Sequence, residues 1–412
     1  MTSRPPRQTT PDELPHDIIT EEILPKLPPN SLLRFKLVCK KWRDLINHPD
    51  FIHAHLLHHS RSNRQLNVLF TNQGKLHSRT IKTCVSSSSS SSSSIEVARN
   101  PLPSNCFDLH KHREPIFWGS CNGLICLQTG DYELGLWNPC TGSYTALPYH
   151  PPIRAPASYG FGYDAETKDY KLVKIVSIIN NTTDPQVQVW VFTLNSNSWR
   201  AISSYDDDND DDDDCAVCTA VGAAPGKYIN DDDRGVVYWV GEGLLDKLIC
   251  FDIRDEVFSV LMLPNISSII TQEISGIEIC DIDGCLALAR ELNCEAGMIL
   301  HEVWLKKENW IKMYSVDASR SRYWIDIENI MPLGGIDIVE KKKNEKNEIK
   351  ERRVERVIYM GKCGWRSCFS FHSRTKQFMR FPFPDASRYF AKYGSIITYV
   401  ESLVSINPEK EP

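Results

Sequence analysis

Cys215 and Cys218 have the spacing with which a thiolate pair holds zinc. A closed zinc site needs two further ligands, and no second close pair follows in matching context. His53, His55, His58 and His59 form another cluster. His55 and His59 are four apart, so a helix would align them on one side. No acid accompanies them there, and they read as exposed linker residues. Asp281-Ile-Asp283-Gly284 opens like a calcium loop, but the later ligands and the closing glutamate are missing, so it reads as a turn between strands. A glycine-rich phosphate loop with its lysine is absent, as is a Gly-x-Ser-x-Gly nucleophile elbow. A glycosidase would need two carboxylates across one pocket. Sequence cannot place such a pair. The expectation is a binding protein with no metal, no cofactor and no catalytic residue of its own.

The elements around these residues start with a small helical module. Pro15 suits a first helical turn, and Asp17 or Glu21 suits its positive end. Ile18, Ile23, Leu24 and Leu27 recur at helical spacing, Pro25 should kink or shorten this helix, and Pro28-Pro29 end it. A second helix can start at the caps Asn30 or Ser31 and carries Leu32, Leu33, Phe35, Leu37 and Val38. A third, from about Cys39 to Asn47, puts Trp42, Leu45 and Ile46 on one side and Lys40, Lys41 and Arg43 on the other. His48-Pro49 stops it, and Phe51, Ile52, Leu56 and Leu57 suggest another turn or two. So short a bundle cannot bury all this apolar surface. It is either a cap on the following domain or a plug for another protein.

From about Leu66 helical periodicity gives way to short β-branched and aromatic runs between turn clusters. One unit recurs: an aromatic, a turn-rich stretch, another aromatic. It reads Trp137 to Tyr144, Phe192 to Trp199, Phe251 to Phe258, Trp304 to Trp310 and Phe371 to Phe378, with a cousin at Tyr163 to Tyr170. Repeats of this size, each a small antiparallel sheet, mark propeller blades, and the excess length fits loop insertions. Leu66–Phe70 and Ser395–Ile406 are strand-like segments at opposite ends of the region and should share one blade, leaving few bare sheet edges. A two-sheet sandwich or an irregular β domain is the alternative. The fold class expected is α+β multidomain: a small N-terminal helical module, then an all-β, propeller-like domain.

Leu14-Pro15, Ile23-Leu24, Leu27-Pro28, Leu32-Leu33, Val38-Cys39-Lys40 and Trp42 stand where the F-box pattern expects them, so this segment resembles an F-box. Phe35 after Arg34 is a mild departure. Trp118 to Leu127, Leu136 to Pro139, Phe161 to Asp164, Tyr170 to Ile175 and Tyr399 to Leu403 are similar to the plant F-box-associated domain, a kelch-like region found also in receptors of pollen–pistil recognition. The paired glycines of kelch repeats are mostly missing, Gly334-Gly335 being the sole pair. The resemblance implies a substrate-recognition subunit of an SCF-type ubiquitin ligase. Leu14, Pro15, Ile23, Leu24, Leu27, Pro28, Leu32, Leu33, Val38, Cys39, Lys40 and Trp42 would serve the fold and the grip of a Skp-family adaptor, and through it of a cullin and a RING protein. The β domain would hold a target protein, with Tyr149, Tyr205 and Tyr323 as candidate contacts near turns. A Skp-binding scaffold that does not promote degradation, or a propeller enzyme with a helical cap, are the other classes.

These expectations divide the chain into a disordered N-terminus (1–11), the F-box module (12–56) and the β region (66–406). Ser86–Ser94, Asp206–Asp214 and Lys341–Arg353 read as solvated or disordered loops, since none can bury apolar area. A net charge of −6 over 412 residues favours neither nucleic acid nor an anionic membrane surface. No run reaches the ~20 apolar residues of a membrane span, and no apolar stretch backs Arg4 and Arg7 as in a secretory signal. With 14 scattered cysteines read as buried small hydrophobes, the expected place is cytoplasmic, nuclear or both.

Overall fold

The computed structural model describes residues 18–60, 65–72, 75–85, 93–99, 115–129, 133–150, 157–178, 186–202, 225–231, 234–241, 246–264, 273–294, 298–317, 330–343, 349–362, 367–372, 377–382 and 396–406. The module opens with a wide helical turn, Ile18–Ile23, and a tight one, Leu24–Lys26. Helix α1 spans Pro29–Phe35. It starts before the expected Asn30 or Ser31, because Pro29 takes the first helical position, where the missing N–H costs nothing. Helix α2 is Lys40–Asn47, capped by Cys39, whose Sγ accepts from the Trp42 amide at 3.4 Å. Helix α3, Pro49–Ser60, is longer than the turn or two suggested by its apolar residues.

The rest forms six four-stranded antiparallel sheets among the described residues. The second sheet takes Ile116–Cys121, Leu124–Gln128, Leu134–Trp137 and Tyr144–Ala146. The third takes Ala157–Asp164, Asp169–Ile178, Gln186–Thr193 and Ser198–Ile202. The fourth takes Lys227–Asp231, Arg234–Val240, Lys247–Asp252 and Phe258–Met262. The fifth takes Glu273–Ile282, Cys285–Asn293, Ile299–Lys306 and Trp310–Asp317. The sixth takes Ile330–Lys343, Ile349–Lys362, Ser367–His372 and Gln377–Pro382. The first sheet joins both ends of the domain: Gln65–Asn72, Lys75–Val85 and Ser93–Arg99 receive Ile396–Tyr399 as a fourth strand, with Val68 opposite Thr398. The first strand of each later sheet, and Ile396–Tyr399 in the first, lie innermost. Each touches the next sheet, and the sixth touches the first, so the ring closes as a propeller.

The aromatic repeat is a cross-strand pair on the two outer strands of a blade. Trp137 faces Tyr144, Phe192 faces Trp199, Phe251 faces Phe258 and Phe371 faces Phe378 in register. Directly opposed aromatics stabilise a pair of strands by roughly 0.2–1 kcal/mol. Five residues beyond the first aromatic, Gly142, Asn197 and Glu256 adopt positive φ, which turns the chain back. Asn138 Oδ1 caps its turn by accepting the amides of Cys140 and Thr141, and Asp252 Oδ1 does the same for Arg254 and Asp255. Two units differ. In the fifth sheet Trp310 stands opposite Lys306 and Trp304 opposite Lys312, with a bulge between Val303 and Trp304. The Tyr163–Tyr170 pair joins the two inner strands of the third sheet and marks no separate blade.

Between blades the cores are continuous. Phe161, Leu172 and Phe192 of the third sheet pack with Trp118, Leu124 and Leu136 of the second. Val173 and Val191, on the other face of the third sheet, pack with Val237 and Phe251 of the fourth. Asp283-Gly284 is the expected turn between strands, Asp281 Oδ1 accepting the Gly284 amide at 2.7 Å. Lys341–Arg353 departs from the loop reading: Lys341–Lys343 and Ile349–Arg353 belong to two long strands. Their register puts Lys341 opposite Glu351 and Glu340 opposite Arg352, with Lys342 opposite Lys350 between them. Ser93 and Ser94 open a strand, while 86–92, 206–214, Cys215 and Cys218 lie outside the described residues.

Candidate partner-binding sites

The innermost strands all finish at one end of the ring. There Tyr399 hands the chain to Val400–Ile406, which was expected to continue the strand but leaves the sheet instead. Leu403 sinks into the helical module, buried with Leu24, Leu32, Ile46 and Phe51. Ile406 and Val404 pack into the core between the second and third sheets. Asn138 Nδ2 donates to the carbonyls of Ser402 and Val404 at 3.2 and 2.8 Å. The tail is thus a staple between module and ring. At Gly123 (φ +84°) a Cβ would lie 2.3 Å from Ser402 Oγ, so only glycine admits the tail there.

The module keeps other apolar groups bare. Leu37 and Val38, in the turn between α1 and α2, are 86% and 63% exposed, and Ile18 and Ile23 of the opening turn are exposed too. Phe35 and Trp42, half-buried, meet with ring centroids 5.3 Å apart.

Residues 11–54 match the F-box domain family, and residues 65–333 match the family described as F-box associated beta propeller domain. The chain belongs to the F-box-associated β-propeller family of F-box proteins. It is similar to F-box protein CPR1 of Arabidopsis thaliana, at 27% identity over 75% of this chain and 74% of that protein. It is similar also to a putative F-box/kelch-repeat protein of the same plant, at 22% identity over 94% of this chain and 95% of the relative. Among solved structures it aligns with AofleA from Arthrobotrys oligospora at 8% identity and a TM-score of 0.37, over 84% and 88% of the two chains. An F-box followed by a propeller supports a substrate receptor of an SCF-type ligase in general, and an F-box indicates binding to a Skp-type adaptor as a class. Its F-box relatives suggest a non-catalytic adaptor role.

Within this F-box the described residues singled out from the sequence separate into buried, half-buried and exposed groups. Leu24 and Leu32 are buried in the core that receives Leu403. Leu27, Leu33 and Trp42 are half-buried around it. Ile23, Pro28, Val38, Cys39 and Lys40 are exposed. Leu14 and Pro15 lie outside the described residues. Leu37, the most exposed of the large apolar groups, was read as part of the second helix and not singled out; its signal is an apolar residue paired with Val38 just before a helix cap.

The histidines are not an exposed linker. They lie on α3, where His53 and His58 face outward, but His55 is buried and His59 is partly so. Their rings lie 4.3 Å apart, and both Nε2 groups reach the Leu27 carbonyl, at 2.9 and 3.2 Å. That carbonyl accepts, so each Nε2 carries its proton. Burial pulls His55 down to about 4, against the raising effect of that hydrogen bond, with His59 and His58 lowering it further. Burial lowers His59 also, and Glu401 of the tail opposes the change. The pair serves as a polar clamp between α3 and the end of the opening segment.

On the propeller, Tyr149 is 73% exposed, on the connection that runs from Tyr144–Ala146 to Ala157–Asp164. Connections of that kind lie at the end of the ring away from the F-box. Tyr205 and Tyr323 lie outside the described residues. Cys121, Cys126 and Cys280 are buried with thiols pushed far up by desolvation, and burial raises Cys140 and Cys250 to about 12. They act as small apolar groups and not as nucleophiles.

Proposed function

We propose that this F-box protein is the target-binding subunit of an SCF-type ubiquitin ligase. Its F-box docks on a Skp-family adaptor and so joins a cullin and a RING protein, while the propeller holds a target protein. The observation that supports this most is the division of the module's apolar groups. One set is consumed internally and by Leu403, yet Leu37, Val38, Ile23 and Ile18 stay exposed on a module already packed against its neighbour. Apolar groups left bare in this way mark an interaction site. Ile23, Pro28, Val38, Cys39, Lys40 and the open part of Trp42 are the contacts assigned to the adaptor, joined by Leu37. Leu24 and Leu32 support them from beneath.

Such a subunit works by proximity. Tethering a target beside a charged ubiquitin-conjugating enzyme raises the effective concentration of its lysines, and no catalytic side chain is required of the receptor. The staple formed by Val400–Ile406 supports this mechanism, because it holds the F-box against the ring. The cytosol or nucleus is the compartment in which such a ligase and buried reduced cysteines would coexist. The test is adaptor binding by the folded double variant Leu37→Asp/Val38→Asp. Lost binding with an unchanged melting temperature supports the reading; affinity equal to the parent chain refutes it.

A further inference from the structure

Lys171 and Lys174 stand three residues apart on the strand Asp169–Ile178, so their side chains leave opposite faces. Both are buried. Lys171 is fully matched: its Nζ lies 2.9 Å from Asp164 Oδ2, from Glu256 Oε1 and from the Ile253 carbonyl. Lys174 is different. Among the described residues its Nζ meets His150 Nδ1 at 3.2 Å and no carboxylate within ion-pair distance. A buried ammonium without counter-charge is costly, and burial accordingly lowers the Lys174 amine.

A second donor points the same way. Trp190 stands directly opposite Lys174 in the ladder, and its buried Nε1 has no acceptor. The His150 ring lies over both Trp190 and Trp199, at centroid distances of 4.3 and 5.1 Å. Trp199 Nε1 donates to the Pro148 carbonyl at 3.0 Å, which anchors the connection just before Tyr149. The corner therefore holds one cation and one N–H in want of an acceptor, under a half-buried imidazole, beside a bare tyrosine.

We propose that Lys174, Trp190 and His150 form a subsite for one anionic side chain of the target polypeptide, a carboxylate or a phosphate. The anion takes the place of His150 at the Lys174 ammonium and accepts from Trp190 Nε1, while Tyr149 packs beside the residue that carries it. This rests on the receptor reading. The test uses the full chain and three peptide pools, randomised except for a central Glu, phosphoserine or Gln, with adaptor binding measured on the same preparation. The expected result is retention of the Glu or phosphoserine pool at least about tenfold over the Gln pool, the discrimination that ~1.4 kcal/mol gives. Whichever anionic pool is favoured identifies the source of the charge. Lys174→Met should abolish the preference with an equal or higher melting temperature, since it removes an uncompensated buried charge. Trp190→Phe, which keeps the ring packing and removes only the N–H, should weaken the preference. Equal retention of all three pools by a chain that still binds its adaptor overturns the subsite and leaves the receptor reading intact; so does a preference unchanged in both variants. Loss of adaptor binding by the parent chain would instead strike the receptor reading.

Discussion

Asn138 reaches from the outer turn of the second blade to the carbonyl of Val404, 2.8 Å away, across more than half of the chain. With the same side chain it caps its own turn and holds Ser402. One buried amide thus joins the ring to the tail that anchors the F-box, and each of its hydrogen-bonding groups is used. Replacing it by Ala strands the buried Ser402 carbonyl, at about 1–3 kcal/mol, and frees the part-buried Val404 carbonyl. We expect Asn138→Ala to lower the thermal midpoint, and Leu403→Ala to cost about 2–5 kcal/mol by opening a cavity among Leu24, Leu32, Ile46 and Phe51. Calorimetry of both single variants and the double variant checks this. The losses should be non-additive, because both residues fix the same seven-residue tail.

Gly123 should tolerate no side chain. Its φ of +84° and the contact a Cβ would make with Ser402 Oγ both oppose substitution. Gly123→Ala is expected to cost more than ~1 kcal/mol, with a midpoint shift in denaturant and no change of slope.

If the proposed docking face is right, folding and adaptor binding should be separable in the F-box. Leu32→Ala should destabilise by about 2–5 kcal/mol, as for any fully buried leucine. Val38→Ala should leave stability within about 0.5 kcal/mol but weaken adaptor affinity. Melting curves and titration calorimetry on the two variants would expose any reversal of these roles.

Acid should loosen the clamp on Leu27. His55 falls from its ordinary 6.5 to about 4 in the folded chain, and His59 shifts the same way. Below about pH 6.5 the unfolded chain takes up protons that the folded chain refuses, so this part of the stability is present above that pH and declines as pH falls toward 4. His55→Gln retains an N–H for the Leu27 carbonyl and does not titrate. Its stability, measured by denaturant unfolding between pH 7 and pH 4, should fall less steeply than that of the parent chain.

The two buried lysines should respond oppositely. Lys171→Met leaves the buried Asp164 without its cation and Glu256 with Arg200 alone, and is expected to cost about 3–5 kcal/mol. Lys174→Met should cost nothing or stabilise. Equal destabilisation in both thermal melts would show that Lys174 has a counter-charge after all.

Much of the architecture was legible in residue order because its causes are local. Opposed aromatics recur across the outer strands of four blades, in the second and fourth with Asn or Asp at the turn cap and a positive-φ position five residues on, and such units announce a strand reversal before any neighbour is known. Asn122-Gly123 and Asp283-Gly284 specify tight turns in the same way. The strand shared by the two ends followed from the need to cover sheet edges.

The tertiary structure decided what lies opposite each face. Helical spacing marks Leu24, Leu32, Leu37 and Val38 alike as apolar, but only the arrival of Leu403 from the far end of the chain determines which of them are covered. The pairing of His55 and His59 with one carbonyl, the matched Lys171 and the unmatched Lys174 depend likewise on how separate elements pack, over shorter separations in the chain. Alternation along a strand assigns residues to two sides, and the identity of what packs there is set by ring closure, which brings together segments hundreds of residues apart.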